Sequence, residues 1–301
     1  MRRPRNYISQ EETIMPEFGN YPRKYYATAP GSIKKVALIH ASPRKTGTSK
    51  TEMLAAAFLE GCSEAGAAVE TIALRTKKIA HCTGCYTCWT KTPGTCIHKD
   101  DAAEIMRIEQ EADLTVYAFP LYHFGINSLL KKYIERTMPS IMPHLVTRAD
   151  GATTHPHREG CKSTRYAVII GVCGFPEAEH FGAASANFHY IANASGDEGL
   201  NIIAELYRPA SELLGNPFYK EETARVFSAA KMAGAQVIRE GRIDAAYADE
   251  IARVVGDMEQ FRTQANAAWD HCIKGTSLNP SLKRLCICHQ CTSFGWQSVY
   301  L

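Results

Sequence analysis

The chain has 301 residues, 45% hydrophobic and 22% charged, ordinary globular proportions that exclude wholesale disorder, a collagen-like repeat and a coiled coil. Lys and Arg number 34 against 31 Asp and Glu, a formal charge of +3; with no basic stripe interleaved with aromatics, nucleic acid is not an expected partner. No run of about 18 apolar residues occurs, so no membrane-spanning helix is expected, and the basic start from Met1 to Phe18 lacks the apolar stretch of a secretory signal. The expected setting is therefore the cytoplasm. There the 11 cysteines read as metal, cluster or redox groups rather than as a disulfide framework.

Residues 1–33, rich in Pro, Tyr and Arg, read as an extension that wraps the core or a second subunit, or as a free arm. The pattern sharpens at Lys35–Ala41, a short apolar run between turn signals that suits a strand buried on both faces. A loop follows, then a helix with Met53, Leu54, Ala57, Phe58 and Gly61 along one stripe. Ser49 and Glu52 have capping-box spacing at its start. Further strands are expected at Val69–Leu74, Asp113–Phe119, Tyr166–Val172 and Asn201–Leu206, with helices over 128–137 and 221–239. Strand–helix alternation with apolar strands implies an α/β fold, here a doubly wound, five-stranded parallel sheet of the flavodoxin-like order. Beyond Gly241 one long helix to about His271 is expected, with Ile251, Val254, Val255, Met258, Phe261 and Ala265 on one side. The organisation read from this is an extension (1–33), a flavodoxin-like domain (34–240) and a C-terminal helix with a Cys-rich tail (241–301). A long insertion, Pro139–Thr164, interrupts the plan after the third helix.

The loop from His40 to Ser49 lies between the first strand and the first helix. Such a turn presents unpaired helix N–H groups and the positive end of the helix dipole. Ser42, Thr48 and Ser49 add hydroxyls, Gly47 a free turn and Arg44 a guanidinium, which together make an anion site. It contains neither a Walker sequence nor a dinucleotide fingerprint. A hydrophilic turn before a capped helix is the plainer alternative.

Cys82, Cys85, Cys88 and Cys96 form a C-x2-C-x2-C-x7-C series. Four thiolates at this spacing can surround one centre, and the C-x2-C-x2-C run recurs in iron–sulfur sites. Zinc takes four thiolates too, more often from two separated pairs. A dithiol redox pair would leave two cysteines unexplained.

Ser42-Pro43-Arg44 with Gly47-Thr48-Ser49, then Cys82-x-Gly84-Cys85-x2-Cys88-Trp89, Pro93-Gly94-x-Cys96 and Asp100-Asp101 resemble the NAD(P)H-dependent FMN reductase family, and within it the iron–sulfur flavoprotein branch. The likeness runs from about Lys34 to Arg136 and more loosely to about Arg239. Ala41 stands where the family usually has Gly. The resemblance implies FMN, with its phosphate on the Ser42–Ser49 loop. It implies ring contacts from Pro120, Leu121, Tyr122, His123, Phe124 and Gly125 after the third strand, and from Cys173, Gly174 and Phe175 after the fourth. It also implies a [4Fe–4S] cluster on Cys82, Cys85, Cys88 and Cys96 that exchanges electrons with the flavin, with NAD(P)H as co-substrate. A cofactor pair of that kind converts between hydride donors and one-electron carriers.

Other groups are weaker. Cys272, Cys286, Cys288, His289 and Cys291 could bind a metal or belong to a Cys-rich end without one. His155, His157 and Cys161 in the insertion read first as a solvated loop that caps the flavin or meets a second subunit, and only second as metal ligands. Cys62 reads as core, and His123 as positioning the ring. No nucleophile elbow, HExxH helix or kinase set is present. The expected function is an FMN-dependent oxidoreductase that passes electrons between NAD(P)H or a reduced carrier and a small-molecule or protein acceptor, as a homo-oligomer (dimer or tetramer). The alternatives are a cluster-free NAD(P)H-dependent FMN or quinone reductase and, from another class, a redox- or zinc-responsive binding protein.

Overall fold

Val36 and Leu38 face one side of a central sheet while Ala37 and Ile39 face the other, and all four are buried. That alternation is the strand period at work, and burial on both faces explains the unbroken apolar run. A computed structural model describes residues 7–8, 23–148, 151–162, 164–194, 199–254 and 256–274. The sheet has five parallel strands: β1 (Lys35–His40), β2 (Ala68–Ala73), β3 (Leu114–Pro120), β4 (Arg165–Val172) and β5 (Leu200–Arg208). Their order is β2-β1-β3-β4-β5, the flavodoxin-like order. The chain turns between β1 and β3, and ligands in such sheets gather at the carboxyl ends near that reversal.

Helices α1 (Lys50–Glu64), α5 (Lys220–Glu240) and α6 (Ala245–Ala252) cover one face. Helices α2 (Ala102–Glu111), α3 (Ser128–Glu135) and α4 (Gly182–Ala194) cover the other. The sequence reading had no place for α2 or α4. Gly61 of α1 and Gly234 of α5 let those helices touch backbone to backbone, and Cys62 is fully buried beside them. The single long helix expected after Gly241 is two: α6, then α7 (Met258–Lys274). Arg253 leaves α6 in extended conformation, and Gly256 has a φ of +118°, which no helix accommodates. Asp257 then starts α7 by accepting the N–H groups of Glu259 and Gln260. Ile251 therefore packs in the main core, while Val254 and Phe261 pack against Ala210 and Leu213.

The described part of the N-terminal extension lies on the core. Tyr25 donates to Glu205 of β5 at 2.8 Å, and the Thr28 amide donates to Gly241 O at 2.9 Å. The insertion folds as a two-stranded ladder, Val146–Thr147 with Thr153–Thr154. None of its described residues lines the pocket at the carboxyl ends of the sheet. The His155 ring packs tilted against Trp89 with centroids 4.9 Å apart, and Arg158 donates to Pro139 O at 3.1 Å and Cys88 O at 3.5 Å. The insertion thus buttresses the cysteine loop. No helix among the described residues is long and apolar enough to cross a membrane.

Candidate functional site

Ser42, Arg44, Lys50, Thr51, Pro120, Leu121, Tyr122, Val172, Cys173, Gly174, Ser211 and Glu212 surround one pocket of about 370 Å³. It lies at the carboxyl ends of β1, β3, β4 and β5, where the topology expects a ligand. Ser49 is the N-cap of α1, its side chain accepting the Glu52 amide at 3.1 Å. The capping box is half made, because the Glu52 carboxylate turns to Arg75 at 4.0 Å instead. Thr48 donates to Lys45 O at 2.8 Å, and Gly47 takes a φ of +84° that its side-chain-free backbone permits. Ala41 is buried without a positive φ, so the residue in place of the family's Gly is unstrained.

Of the residues expected to hold a phosphate, Ser42 and Arg44 line the pocket, while Gly47, Thr48 and Ser49 shape the turn behind it. Of those expected on a ring, Pro120, Leu121, Tyr122, Cys173 and Gly174 line it. His123, Phe124, Gly125 and Phe175 do not line it; they follow directly on the lining residues Tyr122 and Gly174. The amides of Tyr122 and Gly125 bond each other's carbonyls, which puts His123 and Phe124 in left-handed backbone with φ of 47° and 61°. Two such non-glycine residues in a row are uncommon, and strain of this kind gathers at ligand clamps. Phe124 stacks on Phe175 at 5.8 Å, and His180 lies 4.4 Å from Phe175. The thiol of Cys173 is buried and donates to Phe175 O; burial pushes its pKa up to about 12, so it packs rather than reacts.

Several cationic and acidic groups were missed by sequence reasoning. Lys50 lines the pocket, and its pKa is lowered, first by burial. Arg75 reaches back from the turn after β2 to His40 Nε2 at 2.9 Å and Thr46 Oγ1 at 2.6 Å, tying the anion loop to the sheet. Ser211 and Glu212 enter because Ser211 N donates to Cys173 O and Ala210 N to Phe175 O, which fastens the chain after β5 to the loop after β4. Their one sequence signal is position: they follow a strand whose end lies at the same sheet edge.

Cys82, Cys85, Cys88 and Cys96 come together around a second cavity of about 410 Å³, with His98, Arg136 and Met138 in its wall. Gly84 and Tyr86, with φ of 63° and 53°, curl the loop. The pKa of Cys85 is lowered by the Thr87 hydroxyl first, then by the Thr87 amide and the Thr83 hydroxyl; such donors favour thiolate. Cys88 is pushed up, first by burial and then by Cys96, Cys82 and Cys85, which places all four within electrostatic reach. Among the described residues no three His, Cys, Asp or Glu side chains converge on a point fit for a single metal ion. Four soft thiols facing one cavity are donors that suit an iron–sulfur cluster and also zinc. His155, His157 and Cys161 likewise form no metal-holding group among the described residues. Cys286, Cys288, His289 and Cys291, and the side chain of Cys272, lie outside the described residues.

Residues 34–169 match the sequence model of the NADPH-dependent FMN reductase family. An iron–sulfur flavoprotein of Archaeoglobus fulgidus is 38% identical over 105 residues, 35% of this chain and 46% of that protein. One of Methanocaldococcus jannaschii is 35% identical over 105 residues, 35% of this chain and 52% of that protein. The match thus spans about half the length of these curated relatives. Among solved structures, an FMN-dependent NADH-azoreductase from Bacillus anthracis in complex with FMN superimposes with a TM-score of 0.50 at 17% identity. The superposition covers 68% of this chain and 100% of that one. This likeness is one of fold.

Proposed function

We propose, for a chain whose residues 34–169 match the NADPH-dependent FMN reductase family model, an FMN-dependent oxidoreductase of that family that also carries a [4Fe–4S] cluster. It would pass electrons between NAD(P)H or a reduced carrier and a small-molecule or protein acceptor. When bound, FMN supplies exchange between hydride and single electrons, and the cluster supplies one-electron transfer. The remaining work is that of the chain. Arg44, Lys50 and the N-terminal end of α1 give a phosphate its counter-charge, and Ser42 gives it a hydroxyl. Pro120, Leu121 and Val172 form apolar walls for a ring, and the half-exposed Tyr122, Phe124 and Phe175 cover its open side. Gly47 and the left-handed pair His123–Phe124 shape the two loops that flank it.

Cys82, Cys85, Cys88 and Cys96 would hold the cluster. Cys82 and Cys85 are exposed, which leaves that centre open to a partner or to a second copy of the chain in a dimer or tetramer. All seven cysteines with described side chains are free thiols, in keeping with a reducing, cytoplasmic setting. The observation that carries the reading is the pair of cavities: four thiols around one, and cations facing apolar walls in the other.

Anaerobic purification with flavin, iron and sulfide analysis tests it. Stoichiometric FMN with iron and sulfide is expected, and Cys85→Ser should remove iron and sulfide while FMN stays. FMN without iron or sulfide would leave a cluster-free FMN or quinone reductase. Zinc without flavin would leave the metal-responsive binding protein.

A further inference from the structure

Arg136 lies in the wall of the cysteine cavity, its side chain only 2% exposed. A guanidinium has five N–H donors, and they can be counted. Both Nη1 protons are used, on Asp100 Oδ2 at 2.7 Å and Ala80 O at 2.8 Å. One Nη2 proton goes to Asp100 Oδ1 at 3.0 Å. Nε is buried and has no partner. Nε–H and the second Nη2–H share one edge of the planar group, so an entire two-pronged fork is left over. Burial alone would lower the Arg136 pKa, yet Asp100 and then the Cys96 sulfur hold it above its ordinary value. Cys96 lines the same cavity as Arg136 and is a group that can meet the spare edge. His98 Nε2 is a second buried nitrogen without a partner in the same wall.

We infer that Arg136 donates its free edge to Cys96 and to the cluster the four cysteines hold, and thereby raises the reduction potential of that cluster. The inference rests on the cluster reading above. Asp100 and Ala80 O fix the guanidinium plane, so the donor is oriented before any charge arrives. Reduction adds one electron, and thus one negative charge, to the cluster. A fixed cation and N–H donors to sulfur stabilise that form more than the oxidised one. No proton moves, because the guanidinium stays protonated throughout.

The test uses the full chain, purified anaerobically and reconstituted with iron and sulfide, whose content per chain is measured first. Dithionite-poised titration followed by electron paramagnetic resonance then compares the wild type with Asp100→Asn/Arg136→Gln, a double variant that strands no carboxylate. The reduced-to-oxidised ratio at fixed potential should fall at least about tenfold, a negative shift of about 59 mV for a one-electron couple. An unchanged potential at full iron and sulfide content overturns the role of Arg136. A wild type that takes up no iron and sulfide overturns the cluster reading, and this inference with it. Where the double variant loses its cluster, the wild type decides. Pulsed resonance on reduced protein with guanidinium-labelled arginine should show coupling to the labelled nitrogen, and its absence overturns the proposal.

Discussion

Arg44 reaches across the mouth of the sheet-edge pocket to Glu212, Nη2 to Oε1 at 3.1 Å. The pair joins the anion loop after β1 to the segment after β5. A phosphate arriving at the loop must draw Arg44 away from that carboxylate, which would otherwise repel it. Glu212→Gln should therefore tighten FMN binding about three- to tenfold, since the competing pair is a partly exposed one. Arg44→Ala should weaken binding tenfold or more, the range of a charge-assisted hydrogen bond of roughly 1.5–3 kcal/mol. Titration of the apoprotein by quenching of FMN fluorescence measures both. Weaker binding by Glu212→Gln would mean that the carboxylate serves the cofactor rather than competing with it.

Cys85 sits where the loop offers its sulfur hydrogen bonds from the Thr87 hydroxyl, the Thr87 amide and the Thr83 hydroxyl. These act on the charged form, so the thiolate exists at lower pH than for an ordinary thiol. In iron-free protein, alkylation of Cys85 by iodoacetamide should rise at a pH below the usual thiol range of about 8.5. Thr87→Val should move that rise to higher pH. Peptide mass spectrometry across a pH series reads both, and identical profiles would remove the argument for an activated thiol. Iron and sulfide loading should protect Cys85 altogether.

What could be read from the residues has a physical pattern. Strands such as Val36–Ile39 carry their own signal, because burial on both faces needs an unbroken apolar run. The anion loop and the cysteine series were legible because their chemistry is local in the chain. Arg75 and Glu212 were not, since each reaches its partner, His40 or Arg44, only after the sheet has assembled. Arg136, the C-cap of α3, carries no local signal of its role; its spare donor edge exists only once Asp100 and Ala80 have taken the others. The break between α6 and α7 had a visible cause in Gly256, which the apolar stripe from Ile251 to Ala265 outweighed in the reading.

The contact between α1 and α5 gives a sharper stability expectation. A Cβ placed on Gly234 would stand 2.0 Å from Phe58 O and 3.2 Å from Cys62 N, both backbone atoms of α1. Backbone cannot swing aside as a side chain would, so the helices must separate. Gly234→Ala should destabilise the fold by about 3 kcal/mol, despite the better helix propensity of Ala. Denaturant unfolding would measure this, and a neutral or stabilising result would contradict the close approach of the two helices.

Asp100 links the cysteine loop to α2 and to Arg136, and its protonation should be felt at acid pH. Burial would raise its pKa, but hydrogen bonds from Arg136 and from the amides of Ala80 and Ala102, with the charge of Arg136, lower it to about 2. The unfolded carboxyl titrates near 3.9. A folded pKa below the unfolded one means that the contribution is complete above about pH 4 and is lost as pH falls toward about 2. Asp100→Asn should cost about 2 kcal/mol at neutral pH, less than the roughly 3–5 kcal/mol of a fully buried pair because Asp100 is in part solvated. The gap between wild type and variant should stay constant from about pH 5 to 8 and close progressively below about pH 4. Denaturant unfolding at each pH tests this. A gap that persisted unchanged into strong acid would show that the carboxylate charge is not what joins the loop to Arg136.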